Sequence, residues 1–164
     1  MIAHRNQVVI THLGEPCVFD IEKCKLSISE AGLDLDVFTN PNRDCPLGHL
    51  SAPTIHIESG SVGAKSLEAL TAEELDVAMG WDTDEETQNR NIFRIYISQH
   101  EALNNNRVKI TRNQDKEIEI RWQAEARDFL DIRNPGCKVD VYCVIEAGSK
   151  ETDNKNRDRG QPCG

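Results

Sequence analysis

The chain of 164 residues contains no run approaching the roughly 18 apolar residues that a membrane-spanning helix requires. Its start, Met1-Ile2-Ala3-His4-Arg5-Asn6-Gln7, has no apolar core of the length a secretory leader needs, which points to a cytoplasmic protein. Aromatic residues make up only 5% of the sequence, so a sheet that stacks unpaired bases is disfavoured. Positive charge is also short: 19 Lys and Arg face 28 Asp and Glu, a net charge of -9. Such a field repels phosphate, so neither nucleic acid nor an acidic membrane surface is an expected partner, and a basic protein is.

Catalytic and metal motifs are missing in the same way. No CxxC occurs. Cys45 and His49 stand four apart in a loop with His56 further on, but the second close pair that a zinc site needs is absent. His56-Ile57-Glu58 matches only the first fragment of a zinc deaminase signature. Asp82, Asp84 and Glu86 begin like a calcium loop, yet Thr87 stands where glycine is needed and Phe93 where a bidentate glutamate belongs. In the Gly/Ser-rich stretch Glu58 to Gly63, Ser61 lacks the preceding glycine of a nucleophile elbow, and no phosphate-loop lysine is in place. No catalytic residue, metal ligand set or cofactor is assigned.

What the sequence does contain is alternation. Val8 to Thr11, Cys17 to Ile21, Lys23 to Ser29, Leu33 to Phe38 and Pro53 to Glu58 read as short strands, and 23–29 with 33–39 as a hairpin. A second block follows in Ile92 to Ser98, Arg107 to Arg112, Glu117 to Arg127 and Lys138 to Glu146, expected to form a four-strand meander around a turn at Asn113 to Lys116. Between the blocks, Thr71-Ala72-Glu73-Glu74 has the pattern of a capping box, Leu70 and Leu75 stand at staple spacing, and Gly80 offers a stop; a helix is expected there. The fold class is therefore mainly β, an antiparallel sandwich or strongly curved sheet with one helix in the connection between the two strand blocks. Residues 1–148 read as a single domain and 149–164 as a polar tail without a large apolar side chain.

Six cysteines would suggest disulfides in a secreted chain, but Cys24, Cys137 and Cys143 share strand parity with aliphatic residues, and Cys45 reads as a loop thiol; buried thiols are the expectation. Arg107, Lys109, Arg112, Lys116, Arg121 and Arg127 alternate with acids and read as a cross-strand ion-pair ladder.

Negative charge concentrates between Lys65 and Arg90, where eight acids meet two bases, so -6 of the net -9 lies in that window. Trp81 lies inside it as an anchor of the kind common at interfaces. Glu73, Asp76, Trp81, Asp82, Asp84, Glu85 and Glu86 are the candidate partner-binding residues. The function expected is non-catalytic protein binding, either neutralising a basic partner or joining neighbouring subunits in an assembly. The alternative is a small-ligand binder or enzyme with a pocket in the curved sheet, lined by Trp122, Phe93 or Tyr142.

Overall fold

In a computed structural model of the chain, the structure describes residues 1–45, 52–77, 92–97, 99–126 and 136–146. Among the described residues, ten antiparallel strands form one strongly curled sheet in the order β5-β8-β9-β10-β1-β2-β3-β4-β6-β7. Their spans are β1 Gln7–His12, β2 Glu15–Ser29, β3 Gly32–Thr39, β4 Thr54–Gly60, β5 Ala72–Val77, β6 Phe93–Ile97, β7 Gln99–Ala102, β8 Asn104–Arg112, β9 Ile118–Ala126 and β10 Cys137–Ile145. The mainly β expectation holds. The expected hairpin is the β2–β3 pair, in register from Ser29 opposite Gly32 to Lys23 opposite Phe38.

Fifteen-residue β2 belongs to both halves of the sheet, pairing with β1 through its first part and β3 through its second. A bulge between Ile21 and Lys23 makes this possible. Cys17 and Phe19 are buried before it, and Cys24, Leu26 and Ile28 pack on the core after it. The inward positions thus change from odd to even numbers, because a bulge adds one residue to one strand and bends it. Gly32 closes the hairpin at φ +127°, where a Cβ would stand 2.6 Å from the Gly60 carbonyl oxygen, so only glycine fits.

The core lies between the two halves. Phe93 of β6 meets Trp122 of β9 edge to face, with ring centroids 5.8 Å apart. The Trp122 indole Nε1 donates to Asn106 Oδ1 at 3.0 Å, and Asn106 Nδ2 donates to the Leu103 carbonyl at 2.6 Å. This fully buried asparagine stands where the β8–β9 pairing is irregular, between Asn104 and Arg107, and its side-chain amide finds partners in Trp122 and Leu103.

Three expectations need correction. Residues Ala72–Val77 are strand β5, not the first turns of a helix, and pair with β8 from Ala72 opposite Thr111 to Val77 opposite Asn106. The segment also alternates with period two, and the ladder that β8 offers outweighs a weak local helix preference. No helix occurs among the described residues, and so none long and apolar enough to cross a membrane. The last block is not a four-strand meander: β8, β9 and β10 follow one another, but β6 lies in the other half between β4 and β7. Ile95 and Ile97 serve that core equally well, so alternation alone did not reveal which half β6 joins. The tail from 149 lies outside the described residues.

The third correction concerns Cys45, which forms a disulfide with Cys17. After β3, the chain runs back along the free side of the first part of β2. Asn40 N donates to the Asp20 carbonyl at 2.9 Å and Asn42 Nδ2 to the Val18 carbonyl at 2.6 Å, and the disulfide completes the seam. This segment covers backbone that would otherwise be an open edge. Neither half-cystine was marked by strand parity, since Cys45 lies in a loop.

The expected turn at Asn113 to Lys116 is present, and Lys116 N donates to the Asn113 carbonyl at 3.0 Å. Asn113 Nδ2 donates to Glu117 Oε2 at 2.9 Å, and Arg5 Nη2 bonds Glu117 Oε1 at 2.8 Å. The Asn113 hydrogen bond, then Arg5, holds the Glu117 carboxyl below its ordinary range. A depressed carboxyl stabilises the fold above its unfolded pKa, and that contribution is lost as pH falls through the folded pKa. Asn113→Ala is expected to move the Glu117 titration upward, read from its side-chain carboxyl shift by NMR; an unchanged titration would assign the depression to Arg5 alone.

Candidate functional site

Of the seven candidate partner-binding residues, the structure places two, Glu73 and Asp76, on edge strand β5. Trp81, Asp82, Asp84, Glu85 and Glu86 lie outside the described residues. Glu73 is occupied within the fold: its carboxylate accepts from Gly63 N at 3.2 Å and from Ala64 N at 2.6 Å, fastening the loop after β4. The residue read as part of a helix cap thus caps a neighbouring loop, a partner that no local pattern could show.

The backbone of β5 decides what this edge can do. Arg112 N donates to the Thr71 carbonyl at 2.9 Å, so Thr71 and Arg112 are a hydrogen-bonded pair. In an antiparallel ladder such pairs alternate with pairs whose amides and carbonyls point away from each other. Continuing from Thr71, the residues bonded to β8 are Glu73, Leu75 and Val77. The N–H and C=O groups of Ala72, Glu74 and Asp76 therefore face away from β8, and no strand among the described residues takes them up. The Arg112 guanidinium locks the approach to this edge by donating to the Leu70 carbonyl at 3.0 Å and the Leu67 carbonyl at 2.6 Å.

Behind the edge lies a polar row. In register Glu74 stands opposite Lys109, Lys109 opposite Arg121, and Arg121 opposite Tyr142; one step along, Asp76 stands opposite Arg107. Lys109 beside Arg121 is a like-charge pair, which costs energy in isolation. Arg121 offsets it by lying over the Tyr142 ring, 3.1 Å from the centroid. A shallow groove of about 310 Å³ opens among Arg107, Lys109, Arg121 and Asp140. Of the expected basic residues, Arg107, Lys109 and Arg121 lie on these strands, Arg112 is bound to carbonyls, Lys116 is in the turn after β8, and Arg127 lies outside the described residues.

A second polar cluster lies on the outer face of β3, β4 and β6. His56 Nδ1 is 2.6 Å from Asp36 Oδ1, and His56 Nε2 is 3.2 Å from Thr54 Oγ1. The order carboxylate, imidazole, hydroxyl has the connectivity of a nucleophile relay. Acyl transfer also needs N–H donors aimed at the developing oxyanion. Here the Thr54–Ile57 backbone is in register with β3 on one side and β6 on the other, which commits its amides. The cluster acts as a cross-strand polar staple, with Phe38 edge-on to His56 at 6.1 Å. Sequence reading placed His56 within the Pro53 to Glu58 strand, as found, but could not supply Asp36, which is brought opposite by register.

The residues suggested for a ligand pocket do not converge. Trp122 and Phe93 fill the core, whereas Tyr142 pairs with Arg121 on the opposite face of the sheet. The Cys45, His49 and His56 loop set does not form as described: Cys45 is in the disulfide, His56 is in the β3–β4 staple, and His49 lies outside the described residues. No group of three or more His, Cys, Asp or Glu placed to hold a metal occurs among the described residues. The chain matches no known family, no curated protein and no solved structure.

Proposed function

We propose that the protein is a non-catalytic binding protein that captures an extended basic segment of another protein by adding it as a strand to the β5 edge. One observation carries the reading: the acid-rich window runs through an outer strand whose alternate backbone groups, at Ala72, Glu74 and Asp76, face away from the sheet. Main-chain hydrogen bonds give such an encounter affinity, and charge gives it selectivity and speed. Eight acids against two bases between Lys65 and Arg90 favour lysine- and arginine-rich partners. A neutraliser of a basic protein fits this description, and a subunit that receives a neighbour's strand would use the same edge. The Cys17–Cys45 bond favours an oxidising compartment for the encounter over the cytoplasm that the start of the sequence suggested.

The test is titration of the full chain with a peptide of alternating lysine and valine, followed by amide NMR. Binding is expected to perturb the Ala72, Glu74 and Asp76 amides and to weaken about tenfold between low and high salt, as screening of exposed charge requires. Glu74→Pro removes one outward N–H and leaves the β8 ladder intact. It is expected to abolish binding with the thermal midpoint nearly unchanged. Binding that survives both high salt and Glu74→Pro would overturn the proposal.

A further inference from the structure

β1 separates β2 from β10 along its whole length, pairing with both, but it begins only at Gln7. Asn6 ends the separation: its carbonyl accepts from Ile21 N at 2.9 Å, and its side-chain Oδ1 accepts from Val144 N at 2.9 Å. Past Asn6 no strand stands between β2 and β10. Just there the β2 bulge turns Cys24 inward, opposite Val37, while Cys143 on β10 stands opposite Ile120. Cys143 is buried and Cys24 half-buried against the same core, and β2 and β10 are in direct contact. Both are reduced in the structure. Two cysteines are thus brought to one core from distant parts of the chain, in a protein that already holds a disulfide.

We propose that Cys24 and Cys143 close to a second disulfide, tying β2 to β10 where β1 ends, on reaction with a low-molecular-weight disulfide such as oxidised glutathione. One thiol of the pair, as its thiolate, attacks the small disulfide and releases one small thiol, leaving a mixed disulfide on the protein. The second protein thiolate attacks the protein sulfur of that mixed bond and releases the second small thiol. Two protein thiols lose two electrons, the small disulfide gains them, and the two protons end on the released thiols. The hydrogen bond to Cys143, then burial, raises the Cys24 pKa above its ordinary value. Exchange in the folded protein is therefore slow at neutral pH and accelerates as pH rises. This pairing is independent of the β5 edge and stands or falls without it.

The experiment incubates the purified full chain with oxidised glutathione at pH 7 and pH 9, blocks remaining thiols with N-ethylmaleimide, and maps the peptides after peptic digestion in acid without reductant. The expected map contains a linked pair carrying Cys24 and Cys143, formed faster at pH 9 and abolished by dithiothreitol. The linked Cys17 and Cys45 peptides serve as the internal standard. In Cys143→Ser, Cys24 is expected to carry the maleimide, and the oxidised wild-type protein to unfold at higher denaturant than this variant. Full maleimide labelling of Cys24 and Cys143 while Cys17 and Cys45 remain linked would overturn the proposal. So would Cys24 linked to any other cysteine. The wild-type map decides the matter even if the variant fails to fold.

Discussion

Trp122→Ala is expected to destabilise the fold by about 4 kcal/mol, in the range measured when a large aromatic is removed from a packed core. Trp122 is almost fully buried, touches Phe93 from the other half of the sheet, and is the donor that satisfies Asn106. The alanine variant loses the packing and leaves Asn106 Oδ1 without its donor. Trp122→Phe separates these effects. It retains most of the apolar volume and removes the indole N–H, at a cost of about 1 kcal/mol for the lost buried hydrogen bond. Chemical denaturation monitored by circular dichroism measures both. If the phenylalanine variant matched the wild type, the hydrogen bond to Asn106 would have no net worth. If the alanine variant cost less than about 1 kcal/mol, the two halves would not share the core described.

The second large effect is expected from the Cys17–Cys45 bond. Its sequence separation is 28 residues. Closing a loop of that size in the unfolded chain corresponds to about 3.5 kcal/mol in the chain-entropy treatment. Cys17→Ala with Cys45→Ala is expected to lower the unfolding free energy by about that amount, read from denaturant titration, and to loosen the seam along β2. Hydrogen exchange should then speed at Asn40, whose amide is bonded to Asp20, and at Asp44, whose amide is bonded to the Asn42 side chain. Exchange that stays slow at both amides would mean that the asparagine hydrogen bonds hold the segment without the disulfide.

Alternation made much of this fold legible. Glu117 to Arg127 and Lys138 to Glu146 needed only period two, and β9 and β10 follow it along their length with buried and outward positions as expected. The hairpin of β2 and β3 was visible because its turn and both flanks agree. What stayed hidden depends on partners distant in the chain. Ala72 to Val77 carries a local helix start signal, and only β8, some thirty residues later, makes it a strand. Cys45 sits in a loop where nothing local distinguishes a thiol from a half-cystine. The candidate site was half legible: the concentration of acids is written in the composition, but its meaning changes when the window proves to enter an edge strand. The Glu73 carboxylate, committed to two backbone amides, no longer belongs to the free acidic surface.

The position of β1 has a consequence for how the chain is made. Among the described strands the first, β1, sits at the centre of the sheet, and one of its two neighbours is the last of them, β10. Until residue 145 has emerged, Val8, Val9 and Ile10 lack their pairing along that side. Such a run of β-branched residues with an unpaired backbone is a template for association with other nascent chains. Closure along that side waits for β10, so β1 stays open on one flank for as long as the residues between the two strands are being made. Removing β10 would therefore injure β1, far from it in sequence.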